Sequence, residues 1–161
     1  MNQKGQGLIE ALIALGAAVI IIAAMTIAVI TALNNADFSS YQNLATNYAQ
    51  QGIEIIQQKS QVAWTTIPTR LATYCLAQGA TDLPPQAVSS CTTVNIDNKF
   101  IRQVKFTPES SNCGGSTQVE VMVSWTDSKC SGIAGYCHQV TLDSCLADIY
   151  RLVTPTPPPT P

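Results

Sequence analysis

The chain has 161 residues, a net charge of −2 and only 11% charged residues. With 10 acidic against 8 basic side chains, no basic face is available for nucleic acid or anionic lipid. Ser, Thr, Gln and Asn supply most of the polarity, which suits an exported surface better than a cytosolic enzyme.

Residues 1–5 form a short polar leader, and an apolar run follows. From Ala11 to Leu33 no residue is charged. That is long enough to cross a bilayer core as a helix, which takes roughly 20 residues at about 1.5 Å each. A single acid, Glu10, stands near the start of the run. An acid at the centre of such a helix costs about 2.5–3.5 kcal/mol on insertion scales, and less near an end. It is tolerable where it meets a positive partner, and no basic residue lies within the run. The expected partner is therefore on another chain, and an α-amine created by cutting the leader is one candidate. A secretory signal would have an apolar core of only about 7–15 residues. A plain membrane anchor has no use for the acid. Small residues recur four apart, at Ala14 and Ala18 and at Ala24, Ala28 and Ala32. This spacing lets helix backbones approach closely.

The segment Lys4-Gly5-Gln6-Gly7-Leu8-Ile9-Glu10-Ala11-Leu12 resembles the processing site of type IV prepilins and type II secretion pseudopilins. The resemblance implies cleavage by prepilin peptidase after Gly5 and N-methylation of Gln6. It also implies a salt bridge from Glu10 to the N-terminal amine of a neighbouring subunit. Gln6 stands where the family usually has Phe, Gly7 where Ser or Thr is frequent, and no Pro breaks the run. These differences count against a major pilin. The tip-most pseudopilin typically lacks the acid, so Glu10 implies a position below the tip. The implied partners are other pilin or pseudopilin subunits, the peptidase and the inner (cytoplasmic) membrane. Lys4 and the original N-terminus would stay on the cytoplasmic side, since no Lys or Arg recurs until Lys59.

The helix is expected to continue past Leu33 to about Ser60. Tyr41, Leu44, Ala45, Tyr48, Gly52, Ile55 and Ile56 make one apolar stripe at helical spacing. Gln42, Asn43, Asn47, Gln50, Glu54 and Gln57 lie opposite. A glycine on such a stripe costs about 1 kcal/mol against Ala, so Gly52 implies close approach of another backbone. The stretch 45–54, with Trp64 and Ile67 after it, resembles the second half and exit of the long helix in minor pilins.

About 125 residues remain after the membrane run, enough for one small domain. Thr69–Gln78 reads as a short helix carrying Leu71, Tyr74 and Cys75, and Leu83-Pro84-Pro85 as a loop. Thr117–Thr126 has a period of two, with Val119, Val121, Val123 and Trp125 on one face. Lys99–Thr107 alternates less cleanly, with Phe100, Val104 and Phe106 together. Gln139–Asp143 offers Val140 and Leu142 as a third strand. Residues 110–115 and Ser128–Gly135 are the turns between strands, and such short connections suit antiparallel neighbours. Ser144–Leu152 is a short helix or strand. The tail Thr154–Pro161 holds only Pro and Thr and belongs to no core. The domain plan is thus leader 1–5, membrane helix 6–33, amphipathic continuation 34–60, head 61–153 and tail 154–161. The fold class is α+β: a long N-terminal helix packed on a small antiparallel sheet, a pilin-like arrangement.

Cys75, Cys91, Cys113, Cys130, Cys137 and Cys145 all follow the membrane run. An even number on the exported side reads as disulfides in an oxidising compartment. Six cysteines allow fifteen connectivities, and nearness favours Cys75–Cys91, Cys113–Cys145 and Cys130–Cys137. His138 is the only histidine, beside Cys137, and is expected on or beside a strand edge. No second His or CxxC pair supports a metal or catalytic role. Asp82, Asp97, Glu109, Glu120, Asp127, Asp143 and Asp148 form no calcium loop. No catalytic or cofactor-binding constellation is legible. The reading is a minor pilin or pseudopilin that works as a filament subunit. The rival is a membrane-tethered, disulfide-rich binding domain that does not polymerise.

Overall fold

The computed structural model describes residues 3–94, 96–127, 130 and 136–148, with side chains from Gly7 onward. The chain divides into two compact units, Met1–Ser40 and Tyr41–Pro161. Helix α1 (Gln3–Val62) supplies the described structure of the first unit and opens the second. No proline occurs before Pro68, so nothing removes a ladder hydrogen bond along the helix. Thr26 and Thr31 donate their hydroxyls back to the carbonyls of Ile22 and Ile27, each at 2.9 Å. Two polar groups on an apolar helix are thereby satisfied locally. At the other end, Lys59 lies in the last turn, where a cation is favoured by the exposed carbonyls. A 3₁₀ turn, Trp64–Thr66, follows, then buried Ile67 and Pro68.

The second unit is a four-stranded antiparallel sheet beside the helix segment that opens the unit. Its strands are β1 (Ala72–Cys75), β2 (Ile101–Thr107), β3 (Thr117–Trp125) and β4 (His138–Leu146), in the spatial order β1-β2-β3-β4. The register pairs Val104 with Val121, Phe106 with Val119, and Val121 with Leu142. One face therefore carries Phe100, Val104, Phe106, Val119, Val121, Val123 and Trp125, all buried. The helix meets it with Ala45, Ala49, Gly52 and Ile56. These fall at i, i+4, i+7 and i+11, one face of a helix. Tyr41 and Tyr48 set their rings edge-on to Phe100 at 6.2 and 5.4 Å. Phe100 then packs against Trp125 at 6.1 Å.

Three disulfides, Cys75–Cys91, Cys113–Cys145 and Cys130–Cys137, fasten the ends of this sheet. They are the pairs that nearness along the chain favours. Each closes a loop whose freedom would otherwise stabilise the unfolded chain, a contribution of about 2–4 kcal/mol.

Several expectations are corrected. Thr69–Gln78 is not a helix: Ala72–Cys75 is strand β1, paired with Gln103–Phe106 of β2. Ten residues between Pro68 and Gly79 are too few for a helix to stand alone, since nucleation is costly. The open edge of β2 offers backbone partners instead. Leu44 is off the buried stripe at 38% exposure, and Ala49, at 0%, holds its place. Gly52 makes a close approach, but to side chains rather than a backbone. A Cβ there would lie 2.8 Å from Val121 Cγ1 and 3.3 Å from Arg102 Cδ. β4 is longer than Gln139–Asp143 and takes in 144–146. Residues 149–152, most of the turn 128–135 and the tail 154–161 lie outside the described residues.

Candidate assembly site

The N-terminal unit places the expected processing residues in the first turns of α1. Gly5 and Gln6 lie two and three residues after the helix start at Gln3. The first four N–H groups of a helix have no partner within it, and glycine weakens the helix by about 1 kcal/mol. Glu10 follows one turn later and is exposed. Among the described side chains no positive group reaches it; the described ion pairs are Lys59–Asp82 and His138–Asp127.

From Gly7 to Asp37 every residue is exposed. Leu12 is 66% exposed and Ile20 71%, values of a side chain with no tertiary cover. A contiguous apolar surface of this size marks a membrane or protein interface. Among the described residues, α1 is the one helix long and apolar enough to cross a membrane. Beside Glu10, the helical spacing sets Ile13, Ala14 and Ala17 on one face. A Cβ at Gly7 or Gly16 would meet nothing within 4 Å. The small residues therefore leave open room along the helix, in contrast to Gly52.

In the second unit, sequence reasoning missed Arg102. It shares the inward parity of Phe100, Val104 and Phe106 and is 1% exposed. Its Nε donates to Leu76 O at 3.2 Å, its Nη1 to Tyr48 O at 3.0 Å and its Nη2 to Ala77 O at 2.8 Å. Burial pushes the guanidinium below its ordinary value, and the nearby Tyr48 opposes this. One side chain thus ties helix, sheet and the segment after β1 together. The signal was its place in the alternation of β2, where a charge falls on the apolar face.

Tyr48 donates its hydroxyl to Asp97, which also accepts from Gln78 Nε2 at 2.8 Å. The Asp97 hydrogen bond, then burial, raises the Tyr48 pKa above its ordinary value. Asp97 and Asn98 have φ of 48° and 50°, the left-handed pair that a tight turn into Phe100 requires.

His138 opens β4, an edge strand, directly opposite Trp125. Its Nε2 is 3.1 Å from Asp127 Oδ1. Asp127, Cys130, Cys137 and His138 hold their ligand atoms within 4.8 Å of one another. Both sulfurs are engaged in the Cys130–Cys137 disulfide. Sequence reasoning had His138 and Cys137 but not Asp127, which arrives from the end of β3. An open cleft of about 550 Å³ lies between Trp64, Pro68, Pro108 and Leu146. The titratable groups that line it are Glu109 and Asp148.

No protein-family model, curated protein or solved structure matches this chain.

Proposed function

We propose that the chain is a minor pilin or pseudopilin, a structural subunit of a type IV pilus or type II secretion pseudopilus. The reading rests on one observation above all. An exposed acid, Glu10, stands four residues after a glycine-flanked bond, at the start of a helix whose next 27 residues are wholly uncovered. In this reading the precursor sits in the inner membrane with Lys4 in the cytoplasm. Prepilin peptidase cuts after Gly5, and Gln6 becomes the methylated N-terminus. Lipid then covers the apolar half until neighbouring helices replace it. Glu10 pairs with the Gln6 amine of an adjacent subunit. The head carries three disulfides to the outside and does no catalysis.

The test is mass spectrometry of the chain from membranes and from sheared filaments. The reading predicts a mature chain beginning at methylated Gln6 in both fractions. It also predicts that Gly5→Val leaves an uncut precursor in the membrane. A mature terminus near Asp37 would overturn it in favour of a secretory signal. A chain cut at Gly5 and absent from filaments would favour the tethered binding domain.

A further inference from the structure

Two features have no part in polymerisation through α1: the Pro/Thr tail and the cleft beside Trp64. We propose that this cleft binds the chain's own segment Thr154–Pro161 as a polyproline II ligand. The contact involves only the head and the tail and is independent of the filament reading.

The cleft, of about 550 Å³, lies where the strand ends meet the exit of the helix. Trp64 comes from the 3₁₀ turn after α1, Pro108 from the end of β2, Thr117 from the start of β3 and Leu146 from the end of β4. Antiparallel pairing gathers these strand ends, since Thr107 pairs with Gln118 and Thr117 with Leu146. The volume falls within the range of ligand-binding clefts, about 300–1,000 Å³. Ile67 and Leu146 are buried, each 4% exposed, while Trp64, Pro68 and Pro108 are half-buried. An indole among apolar residues is the kind of surface on which polyproline II segments dock. Among the described residues nothing accepts a hydrogen bond from the Trp64 indole N–H, and the hydroxyls of Thr69, Ser116 and Thr117 are likewise unengaged.

The tail supplies what such a cleft takes. It holds two PxxP spacings, Pro155 to Pro158 and Pro158 to Pro161. A sequence of Pro and Thr favours polyproline II, which makes no internal hydrogen bonds. Five of its eight residues are proline and lack an N–H, so the segment offers mainly acceptors. The cleft offers donors, an indole N–H and three hydroxyls. Proline's fixed φ also means that little backbone freedom is lost on docking. The tail carries no charge, so Glu109 and Asp148 in the lining do not attract it. Tethering makes up for that. Thr154 is six residues past Asp148, a reach of at most about 20 Å. A short link gives an effective concentration in the millimolar range. A contact too weak to hold a free peptide is therefore populated within one chain.

The experiment uses the full chain in detergent, labelled with 5-fluorotryptophan. The two tryptophans then give separate fluorine resonances, and Trp64→Phe assigns them. The comparison is with a chain ending at Val153. Removing the tail should shift the Trp64 resonance and leave that of Trp125, which is 1% exposed, in place. A synthetic Thr154–Pro161 peptide should return the Trp64 resonance of the shortened chain, saturably, to its parent position. The same peptide concentration should not move the resonance of the full chain, whose cleft is already filled. A peptide with every proline replaced by alanine should have no effect. A Trp64 resonance unmoved by loss of the tail would overturn the proposal, and so would equal restoration by the alanine peptide. If the full-chain resonance moves toward the shortened-chain position on dilution, the contact within one chain is overturned and the tail belongs in the cleft of another copy.

Discussion

Residues 7–37 and the head differ in what covers them. In the first stretch every side chain is exposed, although most are Ala, Ile, Leu or Val. In the head, Val104, Phe106, Val119, Val121 and Val123 are all 0% exposed. One region is covered by its own fold, and the other is not. The same chemical change should therefore act on stability in the head and on association in the N-terminal helix.

The largest effect expected in the head comes from Arg102. Arg102→Met keeps the apolar stem but removes the donors to Leu76, Tyr48 and Ala77. Leaving the buried carbonyl of Leu76 and the partly covered carbonyls of Tyr48 and Ala77 without their charged partner should cost about 1–3 kcal/mol, after allowing for the relief of burying a charge. Urea unfolding of the full chain in detergent, followed by tryptophan fluorescence, would read this as a lower midpoint. An unchanged midpoint would mean that the helix is held to the sheet by apolar packing alone.

The two glycines sharpen the comparison. At Gly52 a Cβ would press on Val121 and Arg102, so Gly52→Ala should destabilise the head by about 1–2 kcal/mol despite its better helix propensity. At Gly16 a Cβ meets open space, so Gly16→Ala should leave head stability unchanged. If Gly16 lies against another helix in an assembly, the same change should lower recovery of the chain in filaments. Equal unfolding midpoints for the two variants would erase the distinction between covered and uncovered helix.

A smaller effect is expected at alkaline pH. The Asp97 hydrogen bond raises the Tyr48 pKa above its ordinary value of about 10. A proton held more tightly in the folded state stabilises it at low pH. That contribution is lost as pH rises from the ordinary value through the raised one. Tyr48→Phe should flatten this alkaline limb in a plot of unfolding midpoint against pH. A limb of unchanged steepness would assign it to another group.

Much of this was legible in the sequence where a period runs long enough. The apolar run and the stripe after it span many helical turns, and Thr117–Thr126 alternates with one exception, the apolar Met122 on the outer face. β1 was not legible, because four half-buried residues carry no period of their own and owe their form to the edge of β2. Arg102 was hidden by the habit of assigning charges to the outer face. Its burial depends on carbonyls from Tyr48, Leu76 and Ala77, which only the tertiary fold brings together. Gly52 marks a contact point in the sequence, but the nature of the contact depends on which side chains of β2 and β3 the register sets against it. Asp127 joined His138 and the two cysteines through the pairing of β3 with β4, a neighbourhood no linear spacing displays.

The central claim is that the uncovered helix is completed by neighbouring subunits through Glu10. Two opposite charges about 4 Å apart attract by roughly 4 kcal/mol at an effective dielectric of 20, before desolvation is subtracted. Removing one member of a buried pair costs about 3–5 kcal/mol because the other is left alone. On this account the unassembled precursor offers Glu10 no such partner, so its loss should ease insertion into lipid. The decisive measurement is the ratio of filament-associated to membrane-associated mature chain for the parent, Glu10→Asp and Glu10→Ala. The account predicts normal insertion and cleavage for all three, with a ratio that falls from parent to Asp, one methylene short, and falls furthest for Ala. Equal ratios would contradict it.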